Sequence, residues 1–307
     1  MKRSVVCIWI ISDKKIGHEN QSEGLVKGLS DFLNINKRTL LIEKSVPQFC
    51  LDILKQKKEG LGNLPDIVVG AGRRTHWPLI FCKFFFNSRS ICLMKPSLPM
   101  KWFDLCIVPR HDGLSEGSNI LMTEGPINLI EPSKQKEVGT GLILVGGESN
   151  HYYWERKSIL SQIKSAIKSS ENLNWTITDS RRTPKQFRLE LGSLDLPNTN
   201  YVAFDAVKGS WLIEKLKCSQ YVWITPDSVS MIYEALSAGA RVGAFELRKK
   251  KGSRVTRNMG YLIKKGWITT SQNIDWKPAI FLDERSRISK LIANRWTNLG
   301  SLKNQDL

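Results

Sequence analysis

The sequence predicts an α/β protein made of two wound halves, each a parallel sheet with helices on both faces, set across a cleft. Three observations carry that expectation. Short apolar runs of strand length alternate with longer amphipathic stretches along the chain, the pattern of repeated βαβ units. The alternation is interrupted near Glu131–Gly139, where a polar stretch containing Glu-Pro-Ser-Lys-Gln-Lys-Glu marks a boundary, and then restarts. The chain has 307 residues, long for one such sheet and sufficient for two cores. The expected domains are residues 1–135 and 136–307, with a last helix, about Asp283–Trp296, able to pack back on the first half.

Taken in order, Val5–Ile11 reads as a strand and Ser12–Asn20 as a loop containing Gly17. A helix from about Glu19 to Leu33 turns Leu25, Val26, Leu29 and Leu33 inward. Arg38–Ile42 and Asp66–Gly70 are the next strands. The latter runs into Ala71-Gly72-Arg73-Arg74-Thr75-His76, which opens another helix. Arg89–Met94 and Asp104–Val108 follow as short strands. The triplet Phe84-Phe85-Phe86 beside Trp77 reads as core or as an apolar patch, with core the default. In the second half the strands are Gly141–Val145, Trp175–Asp179, Tyr201–Phe204, Tyr221–Ile224 and Arg241–Phe245, with a helix over about Trp154–Ser169. Ligands of such sheets sit at the carboxyl ends of the strands. That singles out the loops Asp13–Asn20, Gly70–His76, Lys95–Pro99, Pro109–Gly113, Gly146–His151 and Ser180–Pro184.

The stretch after Ile224 is the most informative. Thr225-Pro226-Asp227-Ser228 turns the chain, and Asp227 or Ser228 offers a capping oxygen to the helix that follows. Gly239 suits the left-handed position at its end. Val229, Ile232, Tyr233 and Leu236 form the packing face. Ser230, Met231, Glu234 and Ala238 lie opposite, a small and hydroxylic side with one acid. A helix start with hydroxyls beside its free amides favours phosphate, and Glu234 is spaced to accept from ribose hydroxyls.

A formal net charge of +17, from 46 Lys and Arg against 29 Asp and Glu, favours an anionic partner. The run Arg248-Lys249-Lys250-Lys251 with Arg254 and Arg257 reads as a solvated face or a contact with anionic lipid. It lacks interleaved aromatics, so nucleic acid is not expected. Six scattered cysteines without a C-x-x-C pair read as buried thiols of a reducing compartment. No apolar run approaches the ~18–20 residues that span a bilayer. Val5–Ile11 is too short for a signal peptide. A cytoplasmic location, peripheral to a membrane at most, is expected. Gly70-x-Gly72 lacks the third glycine of a dinucleotide fingerprint (Thr75 stands there), and there is no P-loop and no G-x-S-x-G elbow. The four histidines, His18, His76, His111 and His151, all fall in post-strand loops, which suits acid–base work near neutrality. Without H-x-x-x-H or Asp-x-Asp, a metal-free site is expected.

Several of these motifs occur together in an order that resembles the mitochondrial-fission ELM family: Trp9–Gln21 with Gly17-His18-Glu19-Asn20-Gln21, Gly70–Pro78, Pro109-Arg110-His111-Asp112-Gly113, Thr123-Glu124-Gly125-Pro126, Gly146-Gly147 with His151, Ser180–Pro184 and Asp227-Ser228-Val229-Ser230-Met231. Ile16 stands where relatives usually have Pro. The family comprises the plant elongated-mitochondria protein and bacterial relatives assigned as glycosyltransferases. The resemblance implies a GT-B-like fold of two Rossmann-like domains, donor in the second and acceptor in the first. With the residue reading, it implies transfer of a sugar from a nucleotide-activated donor to a saccharide or lipid-linked acceptor. Lipopolysaccharide core is one acceptor that suits the basic surface. No cofactor besides the nucleotide sugar is expected.

The donor set is then Gly146, Gly147, Ser149, Ser180, Arg181, Arg182, Thr225, Asp227, Ser228, Ser230, Met231 and Glu234. Asp13 or His18 is the expected general base, and Arg73, Arg74, His76, Arg110, His111 and Asp112 the acceptor set. The rival expectation is a non-catalytic scaffold on a membrane surface, in which the 228–234 face would be filled by the protein's own side chains. A nucleotide-sugar epimerase built on Tyr-x-x-x-Lys and a complete glycine fingerprint is not expected, since the fingerprint is incomplete.

Overall fold

The computed structural model describes residues 5–59, 63–207, 209–272 and 274–296. The chain forms two compact units, Met1–Leu129 with Glu284–Leu307, and Ile130–Asp283. The sequence-based boundary at 135/136 is therefore shifted, and residues 284–307 group with the first unit.

The first unit runs β1 (Val6–Ser12), α1 (Ile16–Ser30), β2 (Ile35–Leu41), α2 (Val46–Lys58), β3 (Ile67–Ala71), α3 (His76–Phe86), β4 (Arg89–Leu93), β5 (Leu105–Pro109) and β6 (Ile120–Thr123). The sheet order is β2-β1-β3-β4-β5-β6, every pair parallel. Side chains alternate across a strand, so β1 feeds two layers. Ile8 and Ile10 pack with Leu25, Leu29, Ile67 and Val69 on one face. Trp9 and Ile11 pack with Val68, Leu79 and Phe86 on the other. The C-terminal helix α9 (Glu284–Arg295) lays Ile288 and Ile292 into the first of these layers, against α1.

The second unit runs β7 (Glu137–Leu144), α4 (Arg156–Lys168), β8 (Asn174–Thr178), α5 (Lys185–Gly192), β9 (Thr199–Val202), α6 (Trp211–Cys218), β10 (Ser219–Ile224), α7 (Val229–Ala238), β11 (Arg241–Ala244), α8 (Arg254–Lys264) and β12 (Ile268–Thr270). Its sheet order is β12-β11-β10-β7-β8-β9, again all parallel. This is the doubly wound order in which the chain starts centrally and winds outward in both directions.

In each sheet the winding reverses once. The reversal lies between β1 and β3 in the first unit and between β7 and β10 in the second. Crevices for ligands open at the carboxyl ends of the strands at such points.

Three expectations are corrected. Helix α1 begins at Ile16, so His18 stands in its first turn rather than in a loop. Strands β6 and β12 were not foreseen, being four and three residues long. The Phe triplet is split: Phe86 is buried, whereas Phe84 is 72% and Phe85 54% exposed. A helix repeats every 3.6 residues, so three successive side chains cannot all face one core.

Candidate functional site

At the reversal of the second unit, three loops brace one glycine turn. The Thr225 hydroxyl, fully buried after β10, accepts from the Gly146 amide at 2.7 Å. The Asp227 carboxylate accepts from the Gly147 amide at 3.1 Å and pairs with the Arg182 guanidinium at 2.7 Å. From the loop after β8, Ser180 donates to the Gly146 carbonyl at 3.0 Å, and the Thr183 hydroxyl donates to the same oxygen. A Cβ at Gly147 would collide with the Arg182 carbonyl, and one at Gly146 with the Asp227 carboxylate. Only glycine lets these backbones approach so closely.

This bracing changes the expected roles of several donor residues. Thr225, Asp227 and Ser180 hold the turn from inside. Ser149 does likewise, its hydroxyl accepting from the amides of His151 and Tyr152 at 3.3 and 3.2 Å. Arg182 is tied to Asp227, while Arg181 is exposed.

Helix α7 starts beside this turn with Ser228 at its N-cap position, and no side chain caps it. Asp227, expected as a cap, instead gives its Oδ2 to the Gly147 amide and Arg182. The first-turn amides, with Ser228 half-buried and Ser230 exposed beside them, are left as donors. Ile232, Tyr233 and Leu236 pack inward as expected, and Val229 and Met231 are partly buried against the same core. Ala238, expected on the open side, is fully buried. Glu234 is half-buried, and among the described residues no hydrogen bond or ion pair reaches its carboxyl group. Burial pushes its pKa up to about 7.

The basic run also proves to be part of this end of the sheet. Arg248 accepts from the Tyr153 amide and Lys250 donates to the His151 carbonyl, both at 2.9 Å, and Tyr152 bridges to Lys249. The Lys250 ammonium donates to the Ser149 carbonyl at 2.8 Å. Lys249 and Tyr152 line a cavity of about 190 Å³ next to Pro226, with Phe245 and Met259 behind. The run is exposed, in keeping with the solvated-face reading, and its position after β11 also puts it at this end of the sheet.

At the reversal of the first unit, Asp13 is buried with both carboxylate oxygens 3.0 Å from His18 Nδ1. Oδ1 also accepts from the Lys15 amide at 3.2 Å. Gly72 follows β3 with φ of +90°, and a Cβ there would collide with the His18 ring. Because Nδ1 faces a carboxylate, it carries the hydrogen, and Nε2 is left as the proton acceptor. Within the pair, Asp13 holds the His18 ring and leaves Nε2 as the atom able to accept a proton.

His76 opens α3 and is buried. Its Nδ1 accepts from the Ser97 amide at 3.4 Å and lies 3.0 Å from the Ser97 hydroxyl. Burial first, then Arg73 and His18, lowers its pKa, so it is a neutral donor through Nε2. Arg73 is exposed beside it. The rest of the expected acceptor set is largely engaged by the protein itself. Arg74 donates to the Lys44 carbonyl at 2.8 Å, Arg110 pairs with Glu124 at 3.2 Å, and buried Asp112 accepts from the Lys95 amide at 3.4 Å. His111 is half-buried at the end of β5. Among the described residues no three His, Cys, Asp or Glu side chains come together as a metal set. No helix of the described residues is long and apolar enough to cross a membrane.

A UDP-GlcNAc 2-epimerase from Neisseria meningitidis, solved bound to UDP-GlcNAc, superposes with a TM-score of 0.55 at 12% identity, covering 98% of this chain and 100% of that one. The spinosyn forosaminyltransferase SpnP superposes with a TM-score of 0.54 at 11% identity, covering 95% of each. Likeness at such identity establishes the fold, which is that of GT-B glycosyltransferases and related epimerases. In sequence, the chain is 25% identical to uncharacterized protein RP120 of Rickettsia prowazekii (strain Madrid E), over 76% of this chain and 81% of that protein. The profile described as Mitochondrial fission ELM1 matches residues 16–296, nearly the full length, and the chain belongs to that family.

Proposed function

We propose that the protein is a glycosyltransferase that takes a sugar from a nucleotide-activated donor bound on the second unit and passes it to a hydroxyl deprotonated by the first. The observation that carries this reading is the open face of α7: uncapped first-turn amides beside the braced Gly146-Gly147 turn, with the unpartnered Glu234 carboxyl one and a half turns further on. The amides suit the donor's diphosphate, and the carboxylate suits its ribose hydroxyls. His18 Nε2 accepts the acceptor's hydroxyl proton. The oxygen then forms a bond to the anomeric carbon as the bond from that carbon to the diphosphate breaks, and the leaving charge falls on amides and on Arg181 and Lys249. No metal is assigned to this step. An acceptor with anionic groups, a saccharide or lipid-linked glycan such as lipopolysaccharide core, suits Arg73 and the basic surface. The reading assigns the enzyme to the cytoplasm, peripheral to a membrane.

A scaffold has no use for an open, hydroxyl-lined helix start, and that face weighs against the scaffold reading. The neighbour solved with UDP-GlcNAc supports a nucleotide sugar as the ligand class and names epimerisation as the competing chemistry.

Thermal-shift titration with CMP, UDP, GDP and ADP, repeated on Glu234→Ala, tests the donor site. One nucleotide should raise stability by about 2.7 kcal/mol at a hundredfold excess over Kd, and the variant should lose the effect. The matching nucleotide sugar, incubated without acceptor, should stay unchanged by NMR. Appearance of its epimer would replace the transfer reading, and no response to any nucleotide would return the scaffold.

A further inference from the structure

The first unit carries an apolar face that sugar transfer does not use. On α3, Trp77, Phe81, Phe84 and Phe85 recur at i, i+4, i+7 and i+8 and so form one stripe. It is the stripe opposite the one buried on the sheet. With Val46 and Pro47 at the head of α2, it lines an open groove of about 470 Å³ whose walls are apolar throughout. Trp77 is 54% exposed, and Trp102, 37% exposed, stands 5.9 Å from it. An exposed aromatic cluster of this extent marks an interaction surface.

The charge around the stripe says what it meets. Residues 44–58 and 73–86 contain seven Lys or Arg and one acid, Asp52, a local net charge of +6. The Asp52 carboxylate accepts from the Gln48 side chain at 2.8 Å. Lys57 bends over the Phe86 ring and donates to the Phe85 carbonyl at 2.9 Å, keeping its charge at the rim of the aromatic patch. Of the basic side chains at this rim, Lys83 is paired, with Asp104 at 3.0 Å. A second copy seated on this face would set positive charge against positive charge, so self-association is opposed.

We propose that this α2–α3 face docks on the surface of an anionic phospholipid bilayer. The Phe84, Phe85 and Trp77 rings enter the headgroup–acyl boundary, where tryptophan and phenylalanine partition, and the surrounding Lys and Arg meet lipid phosphates. The surface lies on the first unit, to which the acceptor is assigned, yet docking stands whether or not a sugar is transferred.

The test is co-sedimentation of the full chain with vesicles of phosphatidylcholine alone and of phosphatidylcholine mixed with phosphatidylglycerol. The parent should partition at least about tenfold more strongly onto the mixed vesicles, and salt should weaken the association. Phe84→Ser with Phe85→Ser should lower that partitioning by about tenfold or more, since two inserted rings are lost. Both side chains are mostly exposed, so the thermal midpoint should stay put and report an intact fold. The charge reversals Lys251→Glu with Arg257→Glu, on the second unit, should leave partitioning within about twofold, because these side chains are not part of the α2–α3 face. Equal partitioning of the Phe variant and the parent overturns the proposal. So does loss of binding in the second-unit variant alone, or a parent that ignores both vesicles, which would point to a protein partner. Nucleotide thermal shifts measured on the Phe variant separate this outcome from the fate of the transferase reading.

Discussion

The proposed chemistry rests on two residues, and both depend on what surrounds them. Glu234 has its pKa raised from 4.5 to about 7 because burial penalises its charge. A carboxyl whose pKa is raised on folding contributes stability that is full below the unfolded value and is lost as pH rises through the folded one. Glu234→Gln should therefore remove a loss of order 2 kcal/mol between about pH 4.5 and 7. Urea denaturation of both proteins across that range checks this. The bound nucleotide should reverse the trend, stabilising more strongly above about pH 7, where the carboxylate accepts from ribose. His18 owes its reactivity to Asp13, which fixes the imidazole tautomer. His18→Ala should lower turnover by about a hundredfold or more. Asp13→Asn should lower turnover while leaving nucleotide binding intact, since Asp13 lies in the first unit. If neither variant loses turnover in a radiolabelled-sugar assay, the base lies elsewhere.

At the level of elements, the proposed donor site is a property of three loops rather than of any one. The turn after β7 has its amides held by the loop after β10, and its carbonyl by the loop after β8. Thr225→Val keeps shape and burial but removes the acceptor of the Gly146 amide. It should cost about 1–3 kcal/mol and weaken nucleotide binding, although Thr225 itself stays behind the turn. Calorimetric unfolding and the nucleotide titration together separate the two effects, and a variant with parental stability would deny Thr225 its bracing role. This network also explains which donor residues were misread. Asp227 and Thr225 look, in one dimension, like a cap and a ligand of α7. In the fold their side chains are buried against a turn about 80 residues earlier in the chain. The start of α3 was likewise legible, but its periodicity was masked by an apolar run broken only at Lys83, and the outward stripe emerged only once the sheet had claimed the other side.

For the molecule as a whole, the two sheets differ in winding, β2-β1-β3-β4-β5-β6 in one and β12-β11-β10-β7-β8-β9 in the other, yet each sets its histidine or glycine machinery at the single reversal. The first sheet is completed by a helix from the far end of the chain. Ile288 and Ile292 of α9 are fully buried in the layer that includes Leu25 and Leu29. Ile288→Ala should cost about 2–5 kcal/mol, read as an earlier unfolding step of the first unit, with nucleotide-induced stabilisation of the second unit preserved. Simultaneous loss of both would show that the units unfold together. The amino-acid sequence by itself determined the α/β class, most strands, the loops that carry chemistry and the family, because apolar period, turn residues and motif order are local in the chain. The tertiary structure alone decided which polar side chains brace the backbone and which stay open to a ligand. It also decided which aromatics face outward. Those outcomes depend on which strands lie side by side, and parallel pairing joins residues that local sequence never sees together.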